Sequence, residues 1–249
     1  MKDFFTYCTD IKELYMPFET FGIYHILFLI ISFSLIFLLY KYYRNISVER
    51  QNTFLKGLGC YFLIEEAIYT LWLLWKCHNH LLIQLLPLEL CSITVYINAL
   101  SIFTKKESLR YFSCVVGLFA GSIAMLYPAN IAGLYSAISY RTINFYMLHA
   151  SFVLLSLIYV NECKFTLKAM LRNIFIICCL FTFAFFINKT YGTQYMFVGS
   201  PPSIGVIRSI YEMSGPFFLL CVYATMLLQH LIELPFLVML QNKLKKGDL

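Results

Sequence analysis

The chain has 249 residues, of which 60% are hydrophobic, 18% aromatic and 13% charged, and its formal net charge is +6. A soluble domain carries about 25% charged residues, so this one lacks the polar surface to face water, as its mean hydropathy of +0.73 also indicates. The positive balance is no argument for nucleic acid, because topology and anionic headgroups account for it.

A membrane span needs about 17–25 predominantly apolar residues to cross ~30 Å of hydrocarbon. Seven stretches meet that length: 21–40, 57–75, 82–103, 110–127, 142–161, 170–188 and 214–238. They predict an all-α, polytopic membrane helix bundle of about seven transmembrane helices, with residues 1–249 forming a single transmembrane domain. The mixed-charge stretch before residue 20 lacks the short apolar core of a cleavable signal, so the first run is expected to stay in the membrane. Phe4, Phe5, Ile11, Leu14 and Tyr15 among acids suit an interfacial helix there. The 189–213 stretch, with Gly192, Gly199, Pro201, Pro202 and Gly205, reads as an ordered loop.

Nine cysteines do not make a disulfide framework here, since six lie inside apolar runs, where free Cys behaves as a small hydrophobe. No Cys/His spacing of metal-site type occurs among them. Thirteen of the nineteen basic residues fall in the 41–56, 104–110, 162–172 and C-terminal segments, and six on the other side. The positive-inside rule therefore predicts an outside N-terminus and a cytoplasmic C-terminus in the cell membrane.

Polar residues inside spans are costly and therefore informative. In the second span Tyr61, Glu65 and Tyr69 share one face while Glu66 shares another with Thr70. One carboxyl is expected to point inward, and the pair is open to a proton-coupled reading as well as a structural one. In the third span Gln84, Pro87, Cys91, Thr94, Asn98 and Ser101 fall on one stripe, which is either a helix–helix seam or the wall of a polar cavity. Pro87 is expected to loosen the helix just before Cys91. The fifth span repeats the pattern with Thr142, Tyr146, His149, Val153 and Ser156. Counted from the predicted outer ends, Cys91 and His149 lie at similar depths, roughly 12–14 Å. In the last span His230 and Glu233 are expected to snorkel toward the inner surface.

The run Leu86-Pro87-Leu88-Glu89-Leu90-Cys91-Ser92 resembles the LPLxLC signature of bacterial YwaF-type integral membrane proteins. Tyr127-Pro128-Ala129-Asn130, His149 and the Asn188…Gly192-Thr-x-Tyr195-Met-Phe…Pro201 stretch look like that family's later signatures, in the same order. The resemblance spans about residues 20 to 235. It departs at Ala150, where Gly often follows the histidine, and at Ser214-Gly215-Pro216-Phe217, where an aromatic-rich GPWP run is common. These bacterial proteins are similar to the eukaryotic acyltransferase known as transmembrane protein 164, which implies acyl transfer on phospholipids with Cys91 as nucleophile.

Such chemistry needs a base near the sulfur, and neutral His149 fits. It needs donors for the oxyanion, for which Asn98, Tyr146, Asn188, Tyr195 or a backbone N–H are candidates. It also needs an apolar groove for the chain. The partners implied are a phospholipid acyl donor and a lyso-lipid or other amphipathic acceptor. No cofactor and no metal is called for, since no HxxxD pattern, acidic cluster or Gly-rich phosphate loop occurs. The rival readings are a transporter coupled through Glu65 and Glu66, and a non-catalytic sensor or scaffold.

Overall fold

The protein was analysed as a computed structural model, which describes residues 4–7, 15–76, 83, 86–198 and 205–246. Among the described residues eight α-helices follow one another: α1 Ile23–Asn45, α2 Val48–Lys76, α3 Leu90–Thr104, α4 Glu107–Leu126, α5 Tyr140–Val160, α6 Leu167–Tyr191, α7 Gly205–Ser214 and α8 Phe218–Lys246. Six stretches among the described residues are long and apolar enough to cross a membrane: α1, α2, α4, α5, α6 and the run Arg208–Lys245 that contains most of α7 and α8. The all-α membrane architecture expected from the sequence is thus the one observed.

The short turn between α1 and α2 folds because Gln51 serves both sides of it. Its Nε2 donates to the carbonyls of Tyr43 at 3.0 Å and Ile46 at 3.4 Å, satisfying acceptors that the end of α1 leaves without helical donors. Its backbone N–H bonds the Ser47 carbonyl at 2.9 Å. Helix α2 therefore starts nine residues before the predicted span, through the exposed Glu49, Arg50 and Asn52.

Helix α3 departs from expectation at its start. The predicted span opened at residue 82, but residues 86–89 are not helical and α3 begins at Leu90. Pro87 is the physical reason. It fixes its own φ and has no N–H to give a helix, and it sits at the centre of a tight turn in which Leu88 N bonds Leu86 O at 2.8 Å. Fifteen residues reach only about 22 Å, short of a full crossing. Gln84 lies outside the described residues.

The described residues form two compact units: Met1–Leu85 with Thr94–Tyr159, and Leu86–Ile93 with Val160–Leu249. In the first, α4 and α5 approach closely along Gly117 and Gly121. A Cβ on Gly117 would lie 2.4 Å from Ser156 Oγ and 2.9 Å from the Phe152 carbonyl oxygen, so only glycine permits the contact. The fully buried His25 anchors α1: Nδ1 accepts from Phe21 N at 2.8 Å and Nε2 donates to Met125 O at 2.9 Å.

The N-terminal segment is a strap where it is described, not the interfacial helix expected. Pro17 bridges Ser136, Phe18 N bonds Tyr135 O, and Ala137 N bonds Met16 O. Phe18 is wholly buried against His25, Phe28 and Tyr146. Its aromatic side chain found a protein pocket, which displaced the membrane surface as its apolar environment. The Ile11 and Leu14 part of that expectation lies outside the described residues.

In the second unit, Thr166 caps α6 by accepting from Ala169 N at 3.2 Å, and left-handed Gly192 (φ 67°) ends it. Asn173 and Thr182 of α6 bond His230 and Tyr223 of α8. Gln241 returns the end of α8 to the Cys163 carbonyl at 2.9 Å.

Candidate functional site

The second unit brings together two sequence segments about a hundred residues apart. Glu89 stands at the entry of α3, where its carbonyl accepts from Ile93 N at 3.0 Å. Its side chain turns to the later segment, Oε2 accepting from Met196 N at 3.2 Å. The Tyr195 hydroxyl meets the Leu86 backbone, and burial is the main force that pushes its pKa up to about 12, so the phenol stays protonated.

Asn188 holds the other side of that turn. Its Nδ2 donates to Tyr195 O at 2.8 Å, and its Oδ1 accepts from Tyr195 N at 2.8 Å and Thr193 Oγ1 at 2.7 Å. Between these clamps Met196 and Phe197 adopt φ of 52° and 55°. Two consecutive non-glycine residues in the left-handed region are strained, and such strain persists only where surrounding bonds over-determine it. Cys91, the second residue of α3, is partly exposed and stands two positions beyond Glu89. It lies in the first turn, where helix geometry turns backbone N–H groups toward the end of the helix and favours negative charge.

The other expected site residues lie in the first unit. His149 is buried, and its Nδ1 lies 2.7 Å from the Phe145 carbonyl. A carbonyl only accepts, so Nδ1 carries the proton and Nε2 is the basic nitrogen. The ring packs between Phe145 and Phe152. Tyr146 donates its hydroxyl to Met125 O at 3.2 Å. Asn98 is completely buried, with neither Oδ1 nor Nδ2 hydrogen-bonded among the described residues. The depth argument that paired Cys91 with His149 does not carry over, because it counted Cys91 from a helix start at residue 82 and α3 starts at Leu90.

A family model described as the TMEM164 family matches residues 20–234, which is most of the chain and includes every residue of the candidate site. The chain belongs to the TMEM164 family. No curated protein and no solved structure matches it.

In this TMEM164 family protein two of the motif segments that carry the sequence resemblance are joined by Glu89, Asn188 and Tyr195. Asn188 spends its hydrogen bonds on the turn, and Tyr195 is buried at 6% exposure, so both shape the segment beside Cys91. Glu65 accepts from Asn144 Nδ2 and from the Tyr140 hydroxyl, while Glu66 is the inward carboxyl at 3% exposure.

His230 and Glu233 do not snorkel, since both are 3% exposed. His230 Nδ1 bonds Met226 O at 2.9 Å, and Asn173 Nδ2 donates to His230 Nε2 at 3.1 Å. Gln229 donates to Glu233. Partners within the protein replaced the water that snorkelling would have sought. The i, i+3 spacing of the pair was visible in the sequence, but its partner Asn173 was not.

Proposed function

We propose that this TMEM164 family protein is a membrane acyltransferase that carries the acyl chain on Cys91. The observation that carries the reading is local: the family-motif cysteine stands partly accessible in the first turn of α3, and a strained turn is clamped to the residues before it. In the first half-reaction the Cys91 thiolate attacks the ester carbonyl of a phospholipid. A C–S bond forms, the ester C–O bond breaks, and the departing lyso-lipid oxygen takes a proton from the protonated base. In the second half, an acceptor hydroxyl gives its proton to the neutral base and attacks the thioester; the new C–O bond forms as C–S breaks. First-turn N–H groups of α3 are the oxyanion donors in this reading, and His149, whose Nε2 is the basic nitrogen, is assigned as the base. That assignment rests on the family resemblance and the tautomer. The reaction belongs to the outer leaflet of the cell membrane, as the charge split favours.

Two observations weigh against a transporter built on Glu65 and Glu66: the Glu65 carboxylate is engaged by Asn144 and Tyr140, and the chain has no paired Gly-broken spans. The deciding experiment is mass spectrometry of the purified protein after incubation with phospholipid. A hydroxylamine-labile acyl adduct on the Cys91 peptide is expected, absent from Cys91→Ala and from Cys91→Ser treated with hydroxylamine. Wild-type protein with no thioester, and membranes whose lipid profile ignores Cys91→Ala, would defeat the reading.

A further inference from the structure

The first unit contains an apolar cavity of about 400 Å³ bounded by α1, α2 and α5. Leu35 and Leu39 of α1, Phe54 and Gly57 of α2, and Met147 and Leu154 of α5 line it. That volume is within the roughly 300–1,000 Å³ of small-molecule sites. The wall at Gly57 is open: a Cβ built there meets nothing within 4 Å. Among the lining groups the Tyr61 hydroxyl is enclosed beside Ser151.

The cavity begins beside a basic turn. Arg50 lies one turn before Phe54 on the α2 face that carries Leu58 and Tyr61, and Lys41, Arg44 and Lys56 belong to the same end of the α1–α2 pair along the chain. All four side chains are exposed, and Glu49 is the sole acid from 41 to 56. From Arg50 to Tyr61 the α2 axis rises roughly 16 Å, close to half of the ~30 Å hydrocarbon thickness. The depth is that of one leaflet's acyl chain.

We infer that this is a binding site for an anionic glycerophospholipid, one acyl chain lying in the cavity and the headgroup phosphate held by Arg50 within the positive field of Lys41, Arg44 and Lys56. The charge of the turn selects the headgroup and the three-helix wall takes the chain. Anionic headgroups are attracted by about 1 kcal/mol per nearby Lys or Arg, and a largely apolar wall in a membrane offers packing to a lipid chain. The site stands independently of acyl transfer at Cys91, so it holds in Cys91→Ala as in the wild type.

Phosphatidylglycerol carrying a photoreactive diazirine on one acyl chain tests it, added to full-length purified protein and read as labelled peptides by mass spectrometry. Labelling is expected in α1, α2 and α5, stronger by about tenfold than with the matching phosphatidylcholine probe. Gly57→Leu fills the cavity from α2 and Ser151→Leu fills it from α5; each is expected to remove most of the label while circular dichroism stays helical. Cys60→Leu, on an exposed position outside the lining, keeps it. Gln at the four basic positions abolishes the preference between the two lipids. Equal labelling by both probes, labelling of Gly57→Leu and Ser151→Leu at the wild-type level, or label confined to other helices overturns the site. Occupancy by a second copy of the chain, seen as a cross-linked dimer through these helices, overturns it too.

Discussion

Helices α1 and α5 both qualify as spans, and the more apolar one is the more exposed. The best window of α1 has a mean hydropathy of 2.4 and is 17% buried in the protein, whereas that of α5 has 1.7 and is 78% buried. The ordering makes sense where lipid replaces water as the solvent. Lipid tails are as apolar as leucine, so hydrophobicity gives a helix no reason to seek protein over lipid. What draws α5 inward is its polar and small-residue content. Thr142 and Asn144 find partners at one end, His149 bonds the Phe145 carbonyl, and Ser156 Oγ reaches the Ser113 carbonyl of α4 at 2.9 Å. Helix α1 has a comparable anchor in His25 at its first turn.

The hardest blow to this contrast is aimed at the α4–α5 seam. Gly117→Ala places a Cβ against the Phe152 carbonyl, which as backbone cannot step aside, and is expected to cost about 3 kcal/mol in reversible unfolding from mixed micelles. A cost below half of that would mean the seam is loose. Next, Leu155→Ala, at 0% exposure on α5, is expected to lose about 2 kcal/mol through the cavity it leaves. Ile30→Ala, at 58% exposure on α1, should stay within about 0.5 kcal/mol in the same assay. Equal costs would break the comparison outright. His25→Leu tests the exception: it orphans Phe21 N and leaves Met125 O with the Tyr146 hydroxyl alone, and a loss of about 1–2 kcal/mol would make it costlier than Ile30→Ala in the same helix.

The smallest effect lies outside the spans. Tyr195 ionises near 12 in the folded protein against an ordinary 10, so its contribution is intact below pH 10 and is lost as pH climbs toward 12. Tyr195→Phe should flatten that alkaline decline by about 1–2 °C in thermal midpoint. Identical pH profiles for the two proteins would remove Tyr195 from the clamp.

These cases also mark what the sequence could say. The α5 stripe was legible because its polar residues recur at helical spacing and every one of them is inside. The spans were legible because length and apolarity alone define them. The start of α3 was not, since hydropathy runs straight through Leu85–Leu90 and only the turn around Pro87 decides that the helix waits for Leu90. Within the candidate site, Cys91 and the Asn188–Phe197 stretch stood out as motifs. The bond that joins them, from Met196 N to the Glu89 side chain, did not. Glu89 lies off the polar stripe and its partner is a backbone group, which no side-chain pattern records.

The strap at Met16–Phe18 has a bearing on biosynthesis. Its acceptors and donors on Gly133–Ala137 are synthesised more than a hundred residues later, after four helices have emerged. The strap therefore leaves the ribosome long before its partners exist, and it closes only once Gly133–Ala137 have followed.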